Sequence, residues 1–226
     1  MLSDMSERKN TAIIVAAGNG SRLGSETPKQ FLLLAGREIL SYSVNTFLDH
    51  PQVDEVIIVI AEAYRDYVSR QYPSCQIVLG GPNRQDSVLN GLNACSANTE
   101  IVLVHDAARP LIPPHIIDDC LKQLETHDGV APAIKPIDTI IQLKDEQFLQ
   151  LDRENLRRVQ TPQCFHLKTL QQAYKSIQAD TDEMGLVNRT IPAARLAYLA
   201  GAEETIKITS PQDLEIAEIY LQSLHS

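Results

Sequence analysis

Two uninterrupted apolar runs, Asp54–Ala61 (DEVIIVIA) and Glu100–Ala107 (EIVLVHDA), constrain this chain more than any other feature. A strand with one wet face alternates apolar and polar residues. A strand rich in valine and isoleucine throughout must be covered on both faces, as in a parallel sheet. Thr11–Ala17 (TAIIVAA) has the same character, and Gln76–Gly81 (QIVLGG) reads as a shorter strand ending in two glycines. Between these runs lie segments with helical spacing. Arg37–His50 carries Ile39, Leu40, Val44, Phe47 and Leu48 along one stripe; Tyr64–Tyr72 and Asp86–Cys95 follow. Pro113 and Pro114 open a further helix with Ile116, Ile117, Cys120, Leu121 and Leu124 on one face. The alternation predicts an α/β fold: a Rossmann-like, mostly parallel sheet with helices on both faces. A chain of 226 residues fits one such domain, spanning 1–226.

The rhythm breaks from Gly129 to Gln160, where period-2 pieces surround a charged turn at Lys144–Glu146. An extended strand and a protruding β-arm at about 136–160 are expected there. Ile140, Ile141, Phe148 and Leu149 are apolar enough to want cover. Two readings stand, a solvated hairpin or an arm exchanged between subunits. Further on, Glu204–Thr209 (ETIKIT) reads as a strand with Lys207 turned to solvent or a cleft. A last helix follows, with Ser210 as N-cap, Pro211 in the first helical position and Asp213 in the first turn. Its apolar face carries Leu214, Ala217, Leu221 and Leu224.

No apolar run approaches the ~18–20 residues of a membrane span, and the polar beginning MLSDMSERKN lacks a secretory apolar stretch. A cytoplasmic protein with no membrane partner is expected. Cys75, Cys95, Cys120 and Cys164 are widely spaced, which suits reduced structural thiols better than a zinc site. A net charge of −9 argues against a nucleic-acid surface. In so acidic a chain the placement of single cations becomes informative.

Ligands of open parallel sheets bind beyond the C-terminal strand ends, and three polar loops fall there. The first, Gly18–Lys29, carries Gly18, Gly20, Arg22 and Gly24, then Lys29 beside Pro28. Glycine-freed backbone N–H groups and two cations suit a triphosphate; an ordinary glycine-rich turn is the alternative. Three residues separate Gly20 from Gly24, so the dinucleotide fingerprint G-x-G-x-x-G is missed by one. Lys29 lies outside the glycine cluster, which excludes the G-x-x-x-x-G-K-[ST] loop. The second loop, Gly80–Ser87, offers close backbone approach at Gly81, charge at Arg84 and a hydroxyl at Ser87, although Asp86 and Ser87 also read as helix caps. The third, His105–Arg109, ends a buried strand. There Asp106 can hold a divalent cation or cap a turn, Arg109 can face the same crevice, and His105 reads as a packed histidine.

In order along nearly the whole chain, AAGNGSRLG, PKQF, GGPNRQDSV, VHDAARP, DTI, DR, TPQCF, TDE and IKIT-PQDLEIAE resemble the 2-C-methyl-D-erythritol 4-phosphate cytidylyltransferases. The resemblance implies a nucleotidyltransferase joining CTP to the polyol phosphate with release of pyrophosphate, using Mg²⁺. It implies catalytic roles for Arg22, Lys29, Arg153 and Lys207, and CTP contacts at Ala16, Ala17, Gly18, Gly20, Gly81, Arg84, Ser87 and Ala107. Asp106 would position the metal and the ribose end. Arg109, Thr139, Arg153, Thr161 and Thr181 would form the alcohol-phosphate site, with Thr139 and Arg153 reaching into a partner subunit through the arm of a homodimer. Ribitol-5-phosphate cytidylyltransferases share the phosphate machinery and are the alternative; the HDAARP form and the DR segment favour methylerythritol phosphate. Two departures from the family pattern fall in a long Met184–Ala197 stretch and at Thr205, where asparagine is common.

Overall fold

The computed structural model describes residues 8–18, 27–145, 147–176 and 180–223. The apolar runs form the centre of the main sheet: β1 (Lys9–Val15), flanked in parallel by β4 (Glu55–Ile60) and β6 (Thr99–Asp106). Beyond β4 lies β5 (Gln76–Leu79), also parallel. The short strands β2 (Leu33–Leu34) and β3 (Arg37–Glu38) pair only with each other. Helices α1 (Ile39–Leu48), α2 (Arg65–Gln71) and α3 (Arg84–Ala94) fill the connections in this half.

The remainder of the sheet is mixed. After α4 (Pro114–Gln123) comes β7 (Gly129–Ile134), which does not join β6 directly. The chain first builds the hairpin β8 (Ile140–Lys144) and β9 (Gln147–Leu151), then β10 (Arg158–Val159) and β11 (Gln163–His166). β11 runs antiparallel between β6 and β7, and β10 caps β7 antiparallel. Helices α5 (Leu167–Ala173) and α6 (Glu183–Thr190) lead to β12 (Leu196–Ala200), which joins β7 in parallel, and α7 (Pro211–Ser223) follows. The long Met184–Ala197 stretch is thus a helix and an edge strand, with Met184, Leu186 and Val187 buried.

Successive side chains of a strand point to opposite faces, and the core divides accordingly. Ile14, Ile58 and Ile60 pack with Leu40, Val44, Phe47 and Ile116 on one face. Ile13, Ile57 and Val59 pack with Val88, Leu92, Leu170 and Met184 on the other. This two-sided burial explains the uninterrupted apolar runs. A smaller cluster of Leu34, Ile39, Leu111, Ile208 and Ala217 seats α7.

Three local readings need adjustment. The segment 204–209 is not a strand; Ile208 is buried and its N–H donates to the Ala108 carbonyl at 2.8 Å, as an irregular loop. α3 begins two residues before Asp86, because Asn83 is its N-cap and accepts from the Asp86 N–H at 2.9 Å. α7 starts as the sequence predicts: Asp213 Oδ2 accepts from the Thr209 and Ser210 N–H groups, both at 2.7 Å. Leu224 lies outside the described residues.

The β8–β9 hairpin is the expected arm, paired from Ile140↔Leu151 to Lys144↔Gln147. It stands apart from the main sheet. Its apolar side chains are open, with Leu143 75% and Phe148 72% exposed.

Candidate active site

The ends of β1, β5 and β6 continue their ladders by one residue each. Ala16 N–H donates to Val59 O at 2.8 Å, Gly80 N–H to Ile60 O at 2.9 Å and Ala107 N–H to Val15 O at 3.1 Å. These bonds draw three loops into one cleft of about 570 Å³. Gly80 is required there, since a Cβ would collide with that of Ala17. Gln30, almost fully buried, donates to the Ala16 carbonyl at 2.7 Å and fixes the turn that brings Lys29 to the rim.

Of the residues singled out in the sequence, Ala16, Ala17, Gly18, Lys29, Gly81, Arg84, Ser87, Asp106, Ala107 and Lys207 line this cleft. Gly20 and Arg22 lie outside the described residues. Arg109, Thr139, Arg153, Thr161 and Thr181 do not line it.

Ser87 is buried and already employed: its hydroxyl accepts from the Gly81 N–H at 3.0 Å and donates to the Asn83 carbonyl at 2.9 Å. It shapes the glycine turn at the start of α3. Asp106 closes the cleft floor between two cations, Lys207 Nζ at 2.6 Å and Arg84 Nε at 3.0 Å. Burial opposes its charge, but Arg84 and Lys207 more than offset this and hold the carboxyl far below the usual range. Arg84 Nη1 and Nη2 fork onto Glu183 at 2.8 and 3.0 Å. Tyr174 also donates to Glu183, at 3.1 Å. Glu183 was not legible as a site residue; only its position in the TDE segment hinted at it.

Beneath the floor, a chain of hydrogen bonds has a fixed direction. His105 Nε2 faces the Arg109 carbonyl at 3.0 Å, which can only accept, so the proton sits on Nε2. Nδ1 then accepts from Thr161 Oγ1 at 2.9 Å, and Thr161 in turn accepts from the Asp106 N–H at 3.1 Å. Burial pushes the imidazole down to about 4, so it is neutral, as expected of a packed histidine. Arg109 donates to the Thr205 carbonyl at 2.7 Å and to that of Val159 at 3.5 Å, and its Nε is buried without a partner. It is the Thr205 backbone that holds Arg109, while the fully buried Thr205 hydroxyl donates to the Leu111 carbonyl at 3.4 Å. Thr139 and Arg153 meet the root of the arm, Arg153 donating to the Ile137 carbonyl at 2.8 Å. Thr181 is exposed, its N–H bonded to Asp180 at 2.7 Å.

Among the described residues no group of three or more His, Cys, Asp or Glu side chains could hold a metal. A divalent ion at this cleft would rely on the Asp106 carboxylate and on ligand phosphate oxygens. That donor set suits Mg²⁺, which is commonly bound through one or two carboxylates plus substrate phosphates.

The family model for 2-C-methyl-D-erythritol 4-phosphate cytidylyltransferase matches residues 10–223. The chain is 39% identical over 227 residues to the enzyme of that name from Clostridium acetobutylicum, covering 94% of this chain and 97% of the relative. It is 36% identical to a bifunctional ribulose 5-phosphate reductase/CDP-ribitol pyrophosphorylase of Haemophilus influenzae, over 97% of this chain but 49% of that protein. The crystal structure of 4-diphosphocytidyl-2C-methyl-D-erythritol synthase from Anaerococcus prevotii superposes with a TM-score of 0.85 at 27% identity, covering 95% of this chain and 99% of that one. With a mostly parallel sheet whose strand ends gather Lys29, Lys207 and Asp106 into one cleft, the chain belongs to the 2-C-methyl-D-erythritol 4-phosphate cytidylyltransferase family.

Proposed function

We propose that this chain, a single catalytic domain with an arm, joins CTP to 2-C-methyl-D-erythritol 4-phosphate, releasing pyrophosphate and leaving the cytidine-diphosphate alcohol. The observation that carries this reading is the meeting of Lys29, Lys207 and Asp106 in one cleft walled by the Gly80–Gly81 turn. An oxygen of the substrate phosphate attacks the α-phosphorus in line with the departing pyrophosphate. The nucleophile is already an anion, so no side chain need remove a proton, and catalysis consists of positioning and charge stabilisation. Lys29 and Lys207 donate to the phosphate oxygens as negative charge builds, together with Arg22. Backbone at Ala16–Gly20 and at Gly81 holds the nucleotide, with Arg84, Ser87 and Ala107 completing that wall. Asp106 would hold Mg²⁺, which would supply neutralisation of phosphate charge.

The alcohol phosphate is taken by Arg109, Thr139, Arg153, Thr161 and Thr181. The exposed root and apolar face of the arm support Thr139 and Arg153 acting on a partner's cleft in a homodimer. The enzyme works in the cytoplasm. Four free cysteines support a reducing compartment, and no helix among the described residues is long and apolar enough to cross a membrane.

Pyrophosphate release with CTP and Mg²⁺ tests the assignment, methylerythritol 4-phosphate being compared with ribitol 5-phosphate. Release with the first alone is expected. Release with ribitol 5-phosphate alone would overturn the choice of alcohol and keep the phosphate chemistry.

A further inference from the structure

Arg84 lines the nucleotide cleft with its guanidinium already committed to two carboxylates. Both terminal nitrogens are occupied by Glu183, at 2.8 and 3.0 Å, and only Nε turns towards the floor, where Asp106 lies at 3.0 Å. Glu183 is 1% exposed, and among the described residues Arg84 is its one salt-bridge partner. Tyr174 supplies a further donor to Oε1. A bidentate fork of this kind holds the guanidinium plane in one orientation. Removing either partner would strand a buried charge.

The other cation on Asp106 is differently placed. Lys207 meets the carboxylate with a single flexible ammonium, about a third of its side chain is exposed, and it sits on an irregular loop. An ammonium can exchange one oxygen anion for another by rotating its stem; a forked guanidinium cannot.

We infer that Glu183 and Arg84 act together as a fixed tether that keeps Asp106 oriented while Lys207 is handed from Asp106 to the nucleotide phosphates. Arg84 and Glu183 are positioning residues acting through Asp106, and Arg84 shapes the nucleotide wall without itself binding a phosphate. With Arg84 in place, Asp106 retains one compensating charge throughout the exchange. Without it, Asp106 competes with the phosphates for Lys207.

The inference rests on the cytidylyltransferase reading. Turnover by the unmodified protein tests that reading, while variant-to-wild-type ratios and CTP binding by calorimetry test the tether. Glu183→Gln and Arg84→Lys each keep CTP affinity within about threefold and lower kcat at least about tenfold, since the lost interaction matters chiefly in the transition state. The double variant is no slower than the worse single one, as for two residues acting as a unit. Should Glu183→Gln fail to fold, Arg84→Lys gives both readouts with Glu183 in place. A drop in CTP affinity of more than about tenfold confined to Arg84→Lys would show that Arg84 binds the nucleotide directly and overturn the inference. So would unchanged kcat in a folded Glu183→Gln variant.

Discussion

Gly91 of α3 faces Ile13 of β1 so closely that a Cβ at position 91 would lie 2.6 Å from Ile13 Cγ2 and 3.2 Å from Val59 Cγ2. The helix that carries the glycine turn and Arg84 at its start is seated on the sheet through this contact. Gly91→Ala sets two effects against each other. Alanine favours a helix interior over glycine by about 1 kcal/mol, but overpacking a close-packed core costs about 1–3 kcal/mol. Both methyl groups belong to buried strands with little room to yield, so the expected net result is destabilisation. The midpoint of denaturant unfolding reads it, and a variant as stable as the parent would refute the argument.

His105 makes folding sensitive to mild acid. Its ordinary value of 6.5 falls to about 4 in the folded protein because the ring is buried. Below 6.5 the unfolded chain takes up a proton that the folded chain refuses until about 4, so stability declines as pH falls through that window. A shift of this size corresponds to about 3 kcal/mol at most. His105→Gln has no ring to titrate, so its unfolding free energy should show a shallower slope between those pH values. Parallel slopes for variant and parent would contradict the neutral, buried imidazole.

The two cleft lysines should be needed for turnover more than for folding. Lys29→Ala and Lys207→Ala each lower turnover at least about a hundredfold, the usual effect of deleting a group that meets transition-state charge. Both side chains line an open cleft, so circular dichroism and melting temperature should stay close to the parent. A folded variant with undiminished turnover would remove that lysine from the mechanism.

Removing the arm separates nucleotide binding from catalysis. A deletion of Thr139–Asp152 leaves the cleft lining whole, because none of its residues comes from that segment. CTP binding should remain measurable by calorimetry, while activity disappears and the dimer weakens in sedimentation. A monomeric, fully active deletion variant would rule out a cross-subunit role.

The central strands and glycine loops were legible because their signals are local. A valine-rich run needs two covered faces whatever surrounds it, and the glycine spacing excludes the commoner phosphate loops without reference to the rest of the chain. Lys207 shows where local reading misleads. The alternation in Ile206-Lys207-Ile208 imitates a strand, but Ile208 bonds to the single carbonyl of Ala108 and the segment joins no sheet. β11 and β12 escaped notice because each is a short edge or wedge whose identity depends on the neighbour it meets. The Arg84–Glu183 fork joins residues 99 positions apart, and no periodicity records such a pairing. The bonded chain of the Arg109 carbonyl, His105 and Thr161 likewise joins residues 56 positions apart and leaves no local signal.

The wedge position of β11 also sets an order of assembly. β1, β4, β5 and β6 can pair as soon as residue 106 has been made, but β7 has no seat beside them until residues 163–166 arrive to separate it from β6. Lys207 comes later still. During synthesis, which folds chains from the N-terminus onward, the nucleotide walls therefore stand before the cation that completes them. An unfinished chain can pair Asp106 with Arg84 early, gains the fork to Glu183 only once residue 183 is made, and lacks the Lys207 ammonium until the loop before α7 has closed. The ammonium thus reaches the cleft only after every strand of the main sheet has been made, and a chain stopped before residue 207 lacks it.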